Sequence, residues 1–443
     1  MTNTHSDKIK EILKDFRFTQ PPFVEGETYI NVAPSTPGLL SNQEVMEVID
    51  VMLSGHITEG EKVRKFEREM ARYLGVRYAS MCNSGSSANL LALSALTSPI
   101  LGSRALLPGD EIITTAVGFP TTVNPIIQIG CVPVFIDVNL TTHNTSEWWI
   151  ANAITEKTKA IILAHTLGNI WNVEAVKRLA EDNQLWLIED GCDALGGTWD
   201  GKMVGSFGDL STLSMYPAHH MAVGEGGMVF TDNAMLNKIV RSFRDWGREC
   251  WCQPGHDNTC GKRFSQTDKG DLPDGFDHKY VYSHIGYNLK STDLQAAIGL
   301  AQFRKLPEFV QDRKENWAYL RDELDLLREY FVLPEPLPKA EPSWFGFVLS
   351  VRETAPFTRN QLTTYLEEHK IGTRNVFAGN LTRQPAYKGK NWRMADPLGA
   401  LVNSDRVMDN SFWIGVHPQL TKRMLDYMVQ TIKDFVNENR HHL

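Results

Sequence analysis

The sequence predicts an α/β protein, with a parallel sheet covered by helices on both faces and a smaller α/β domain at the C-terminal end. Two observations carry this. Between positions 110 and 190, apolar β-like runs at 110–116, 132–138, 160–165 and 185–190 alternate with helical stretches at 121–130, 146–155 and 172–184. After a long helix that begins near 293, the chain resumes a mixed pattern to its end. A chain of 443 residues can bury one large core and a second, smaller one. The expected division is an arm over 1–35, a large domain over 36–305 and a small domain over 306–443.

Composition narrows the class. Apolar residues make up 42% and charged residues 22%, as in ordinary globular proteins. A net charge of −8 argues against a general nucleic-acid binder. No apolar run is long enough to span a bilayer, so no membrane partner is expected. The N-terminus carries Asp7, Lys8, Lys10, Glu11, Lys14 and Asp15 where a signal peptide would be apolar. These features predict a cytoplasmic protein. Six cysteines in so long a chain do not make a disulfide scaffold.

In order, the arm reads as a short helix and a Pro-rich segment. Ser41 and Glu44 form a capping-box pattern before Val45, Met46 and Ile49. An amphipathic helix is expected over 60–74, a strand over 78–82 and an apolar helix over 86–96. After the alternating units, two β-like runs flank the stretch 214–227, which contains His219, His220 and a Gly-Glu-Gly-Gly turn. A helix is expected over 233–247. Irregular sequence then runs over 248–286, and a loop of that length inside a compact domain is usually functional or disordered. The long helix is expected to reach about 328.

Several strand ends carry chemistry. Gly85, Ser86 and Ser87 lie between a strand and a helix N-terminus, where free N–H groups and the helix dipole favour an anion. An ordinary N-cap fits the same residues. Asp190 ends a strand, where α/β sheets place ligands, and Asp193 follows it closely. Phe119 lies just after a strand and fits either a core position or a stacking one. Residues 214–227 alone fit a hairpin with satisfied histidines as well as a presented catalytic group.

The segment from Ser214 to Gly227 resembles the cofactor-lysine segment of the nucleotide-sugar aminotransferases, a branch of the fold-type I pyridoxal phosphate (PLP) enzymes. In that family a Lys follows the Ser by five residues and precedes the Gly-Glu-Gly-Gly by five. This chain has His219 at that position. An imidazole forms no Schiff base but moves protons near neutral pH. The resemblance therefore implies loss of transamination and a freely bound pyridoxamine phosphate (PMP), with a mixed, mostly parallel sheet in the large domain. It also assigns roles. Gly85, Ser86, Ser87 and Ser214 would bind the cofactor phosphate, Phe119 would stack on the ring and Asp190 would pair with the pyridine nitrogen. Asp193 and Tyr216 would stand in the same pocket, and Asp193 replaces the family's usual Gln or His. Asn288 would reach the phosphate of a neighbouring subunit, which implies a homodimer. Lys290 stands where the family usually has Arg. Arg374, Phe377 and the run 383–385 resemble the substrate-side segment, with surface arginines as the alternative. His219 would be the catalytic base, and His220 is its rival.

Cys192, Cys250, Cys252 and Cys260 are spaced Cys-x57-Cys-x-Cys-x7-Cys. Loop and buried thiols, a zinc site or a [2Fe–2S] cluster all fit this set. The spacing, with the His at the lysine position, resembles the PMP- and [2Fe–2S]-dependent sugar 3-dehydrases within the family. That resemblance implies a nucleotide-sugar substrate, loss of its C-3 hydroxyl and a separate NAD(P)H-dependent flavin/iron–sulfur reductase as electron donor. This chain has no Gly-x-Gly-x-x-Gly dinucleotide fingerprint of its own. Cluster-free 3-dehydratases, and a non-catalytic scaffold or regulator on the same fold, remain the alternatives. Cys82 and Cys131, in apolar strand-like surroundings, are expected in the core.

Overall fold

A computed structural model describes residues 4–252, 257–265, 269–395 and 399–440. Residues 253–256 and 266–268 of the cysteine-bearing loop lie outside the described residues, as do the first three of the arm. The large sheet contains β1 (Tyr78–Cys82), β2 (Glu111–Thr115), β3 (Val132–Ile136), β4 (Thr158–Ala164) and β5 (Trp186–Asp190). After the short strands β6 (Thr198–Trp199) and β7 (Lys202–Met203), it continues with β8 (Leu210–Ser214) and β9 (Gly227–Thr231). A second sheet comprises β10 (Phe331–Val332), β12 (Gly346–Val351), β13 (Arg374–Asn375) and β15 (Ser411–Gly415), while β11 (Ala340–Glu341) pairs with β6.

The eight strands of the large sheet run in the order β1-β9-β8-β5-β4-β2-β3-β14, with β14 at Arg393–Met394. β9 is antiparallel to both neighbours, and the other pairs are parallel. The sheet is thus mixed and mostly parallel, the fold-type I arrangement. β2, β3, β5 and β8 are buried almost throughout, because helices cover both faces. One apolar cluster packs Leu91, Ile112, Phe135, Ile188 and Phe243 on one face, and another places Phe66, Met81, Met228 and Leu300 under the long helix. A third fills the space between the second sheet and the C-terminal helix Lys422–Asn439 with Phe331, Phe347, Phe412 and Ile432.

Most predicted elements appear within two residues of their expected bounds. The capping box at Ser41 is present, with the Glu44 carboxylate accepting from the Ser41 N–H at 2.8 Å. Two helices end early. Ala234–Arg244 stops before Asp245, whose backbone turns away and pairs with Asn288. The long helix is Asp293–Glu323, and the chain then tightens into a 3₁₀ turn over Asp325–Leu327. Among the described residues, no helix is long and apolar enough to cross a membrane.

Candidate functional site

The carboxyl ends of β1, β2, β4, β5 and β8 open onto a cleft of about 1180 Å³, closed on the other side by residues of the second sheet and the 374–387 segment. Asp190 lies at its floor, 4% exposed. Its Oδ2 accepts from Asn89 Nδ2 at 2.8 Å and Thr122 Oγ1 at 2.6 Å, and its Oδ1 accepts from the Cys192 N–H at 3.2 Å. Thr212 in turn donates to Asn89 Oδ1 at 2.7 Å. Three donors and a buried floor hold the carboxylate in one orientation, aimed into the cleft.

At one end of the cleft the helix Gly85–Leu96 presents its N-terminus. Ser84 caps it, its Oγ accepting from the Ser87 N–H at 3.1 Å and donating to Ser87 Oγ at 3.0 Å. Gly85 and Ser86 therefore face the cleft, while Ser87 is taken up by the cap and does not line it. Ser86 donates to Thr121 at 3.0 Å. Close backbone packing sets this corner. A Cβ on Gly85 would lie 2.5 Å from Ser214 Cβ, and one on Gly227 would lie 2.1 Å from the Ser84 carbonyl oxygen. Ser214 reaches the same corner from the end of β8.

Phe119, half-exposed, stands over the cleft and meets Phe377 edge-on, centroids 6.0 Å apart. Tyr216 is also half-exposed on the wall. His219 faces the cleft with its ring 5.0 Å from that of Phe345. Its Nδ1 is 3.4 Å from Asp193 Oδ1, too poorly aligned for a hydrogen bond. His220 turns the other way and places Nε2 3.4 Å from the Ser343 carbonyl, outside the cleft.

The electrostatics around His219 are unusual. Burial first, and then the charge of Arg313, push its pKa from 6.5 to about 4 against the opposing effects of Asp190 and the Cys192 carbonyl. Burial and the neighbouring Asp190 push Asp193 up to about 8. Near neutral pH the imidazole is thus uncharged and able to accept a proton, while Asp193 holds one. Arg313 is fully buried in the long helix and donates to the carbonyls of Ala218, His219, Trp344 and Phe345 at 3.3–3.4 Å. It fixes the turn that presents His219.

Arg374, Phe377, Gln384 and Pro385 line the cleft, whereas Arg383 is drawn away by an ion pair with Asp405 at 2.5 Å. Asn288 does not line the cleft of its own chain. It pairs with Asp245, and its Oδ1 accepts from Lys290 at 2.6 Å.

The four cysteines line two cavities. Cys192 lines the cleft, and burial and Asp190 raise its thiol pKa well above the ordinary value. Cys250, Cys252 and Cys260 line a separate recess in the 248–286 loop. The sequence spacing groups all four, but Cys192 is held at the end of β5 while the others ride on a loop that leaves the helix after Arg244. Among the described residues, no group of three or more His, Cys, Asp or Glu is arranged to hold a metal ion. Burial raises the Cys252 thiol, but hydrogen bonds from Thr259, the Cys260 backbone and the two neighbouring thiols outweigh it and bring the pKa to about 7. Cys82 and Cys131 are buried and pushed up to about 12, as core thiols are.

Sequence reasoning missed Asn89, Thr122, Arg313, Phe345 and Trp413. Asn89 lies four residues after Gly85, on the same helix face, and that spacing was available to find it. Phe345 and Trp413 carry no local signal.

The fold and cleft define an α/β enzyme with an acid-floored pocket beside a helix N-terminus. The chain belongs to the DegT/DnrJ/EryC1/StrS aminotransferase family, whose pattern matches residues 39–433. It is 52% identical, over 99% of both chains, to the lipopolysaccharide biosynthesis protein RfbH of Salmonella typhimurium. It is 49% identical, over 97% of this chain and 92% of the relative, to a dTDP-4-dehydro-2,6-dideoxy-D-glucose 3-dehydratase of Saccharopolyspora spinosa. Among solved structures, an E. coli GDP-4-keto-6-deoxy-D-mannose-3-dehydratase with bound hydrated PLP has TM-score 0.81 at 29% identity, covering 92% of this chain and all of the other.

Proposed function

We propose that this chain is a PMP-dependent nucleotide-sugar 3-dehydrase, removing the C-3 hydroxyl from a 4-keto-6-deoxyhexose carried on a nucleoside diphosphate. The observation that carries this reading is His219, at the family's lysine position and facing the same cleft as Asp190. The residues present fit the cofactor. Asp190 would hold its pyridine nitrogen, Gly85, Ser86 and Ser214 its phosphate, and Phe119 its ring face, with Tyr216 and Asp193 alongside. When bound, PMP supplies an amine for the sugar ketone and an electron sink.

This chain's residues do the rest. Asp190, fixed by Asn89, Thr122 and the Cys192 N–H, would present its carboxyl group to the ring nitrogen. His219, neutral, takes a proton at an imidazole nitrogen. With no Lys at this position, no Schiff base ties the cofactor to the protein. Arg374, Phe377 and Gln384, which line the cleft, would meet the sugar nucleotide.

The finer reading is a CDP-4-keto-6-deoxyhexose substrate in 3,6-dideoxyhexose and O-antigen biosynthesis. It rests on resemblance of the cysteine spacing to CDP-6-deoxy-L-threo-D-glycero-4-hexulose 3-dehydrase and on the likeness to a lipopolysaccharide biosynthesis protein. It includes a [2Fe–2S] cluster, a flavin/iron–sulfur reductase partner and a homodimer completed by Asn288. A cluster-free dehydratase is favoured by one observation: among the described residues, no group of three or more His, Cys, Asp or Glu is arranged to hold a metal ion. Incubation of PMP-loaded protein with CDP-, dTDP- and GDP-4-keto-6-deoxyhexoses, followed by mass spectrometry, tests both. Loss of the 3-hydroxyl that requires an added reductase supports the cluster-dependent reading. Loss without one supports the cluster-free reading, and no loss from any of the three contradicts the proposed activity.

A further inference from the structure

The N-terminal arm is tied to the wall of the cleft. The Ile30 N–H donates to the Lys370 carbonyl at 2.7 Å, and the Gly372 N–H donates to the Ile30 carbonyl at 2.9 Å. His417 Nε2 lies 2.9 Å from the Asn31 carbonyl. Gln419 accepts from the Ser35 N–H at 2.9 Å and donates to the Ser35 carbonyl at 2.8 Å. Two glycines make room for this path. A Cβ on Gly372 would lie 2.9 Å from both the Ile30 carbonyl oxygen and the Tyr29 hydroxyl. One on Gly415 would lie 2.6 Å from the Val32 carbonyl oxygen. Val32 and Ala33 thereby join Arg374, Asn375 and Trp413 in the cleft lining.

Arg374 is the cation of this wall. It is exposed, and its Nη1 donates to the Thr373 carbonyl at 2.7 Å. Among the described residues, no carboxylate forms an ion pair with it. Yet Glu367, on the helix Arg359–Glu368, is near enough for the two charges to act on each other. The Glu367 carboxylate is already occupied. Its Oε1 accepts from the N–H and hydroxyl of Thr373 at 2.7 and 2.9 Å, and its Oε2 accepts from the Tyr29 hydroxyl at 2.7 Å. Burial opposes its ionisation, but these bonds and the charge of Arg374 outweigh it and hold its pKa below the ordinary value. Both oxygens are spent, so the guanidinium keeps its donors for another acceptor. A planar fork of N–H groups in a cleft suits phosphate oxygens.

We propose that Tyr29 is a positioning residue for substrate binding: by occupying Glu367 Oε2 it keeps that carboxylate from capturing Arg374, whose guanidinium then takes the diphosphate of the nucleotide sugar. The arm is thus part of the nucleotide site, acting through Arg374. This rests on the reading of the substrate as a sugar nucleotide.

The test titrates the full-length, PMP-loaded protein with CDP, dTDP and GDP by calorimetry. Wild type should bind at least one of them, and Arg374→Ala should weaken the tightest by about 10- to 100-fold. Tyr29→Phe keeps the ring and frees Oε2, and should weaken the same diphosphate by about 10-fold. In turnover that loss should fall on KM. Adding Glu367→Gln to Tyr29→Phe should restore the affinity, because an amide holds a guanidinium far less strongly than a carboxylate does. A merely structural role for Tyr29 gives no such rescue. Undiminished binding in Tyr29→Phe, or a loss that Glu367→Gln does not restore, overturns the inference and leaves the nucleotide-sugar reading standing. Undiminished binding in Arg374→Ala overturns the assignment of the diphosphate to Arg374. A wild type that binds none of the three overturns the nucleotide-sugar reading as well.

Discussion

The cleft and the cysteine loop are built in opposite ways. In the cleft, the polar groups that hold Asp190 are engaged without any ligand, while His219 Nδ1 is left unbonded. Asp190 has three donors, Asn89 is itself held, and Ser84 caps its helix. In the loop, both His278 ring nitrogens are idle, three thiols crowd one recess, and Trp251, Phe264 and Ile285 are 63%, 62% and 95% exposed. The cleft is therefore preorganised by the fold, as electrostatic catalysis requires. The loop has polar and apolar groups that the chain alone does not satisfy, as expected of a surface completed by something else.

Substitutions can break or sharpen that contrast. The largest effect is expected at the cleft floor. Asp190→Ala removes the acceptor of Asn89 and Thr122 together with the acid partner proposed for the ring, and should abolish cofactor retention, read by absorbance after gel filtration. Next comes Arg244, which anchors the root of the cysteine loop. It is fully buried, donates to Glu59 at 2.8 and 2.9 Å and to the Met81 carbonyl at 2.8 Å, and pairs with Asp245. Arg244→Ala strands Glu59 and should cost about 3–5 kcal/mol in denaturant unfolding. Gly227→Ala drives a Cβ toward the Ser84 carbonyl and should cost about 1–3 kcal/mol through overpacking, with weaker phosphate binding. At the small end, Arg406→Ala removes an exposed pair with Glu353 and should change stability by less than about 1 kcal/mol.

The pH dependence of the cleft has a definite sign. His219 has its pKa lowered from 6.5 to about 4, so the neutral ring is the form the fold favours. The stability tied to it is fully present above about pH 6.5 and is lost as pH falls toward 4. Asp193, raised to about 8, has the opposite effect, and its contribution fades as pH climbs from about 4 to 8. Histidine NMR of the cofactor-free protein should show His219 uncharged at pH 5.5, where an ordinary histidine is mostly protonated.

The legible parts of this chain were short and contiguous. Gly85 and Ser86, Asp190, and the His219 segment each sit at a strand end, where a few neighbouring residues carry the signal. The alternation over 110–190 gave the sheet, because its period and length separate strand from helix. Arg313 and Phe345 were not legible. Their roles arise only when the long helix and the second sheet fold against the His219 turn, and no local pattern marks such contacts. The cysteine spacing was legible as a pattern but not as a place, since 57 intervening residues say nothing of where Cys192 lies. His278 was hidden for the same reason, in a stretch without periodicity.

The most direct measurement is hydrogen exchange at C-4′ of bound PMP in deuterated solvent, with substrate, in wild type and in His219→Asn. With His219 as the base, the variant should bind the cofactor as well as wild type and exchange about 10²- to 10⁴-fold more slowly. Exchange at the wild-type rate in His219→Asn would contradict that role and remove the main reason for reading the cleft as a dehydrase site.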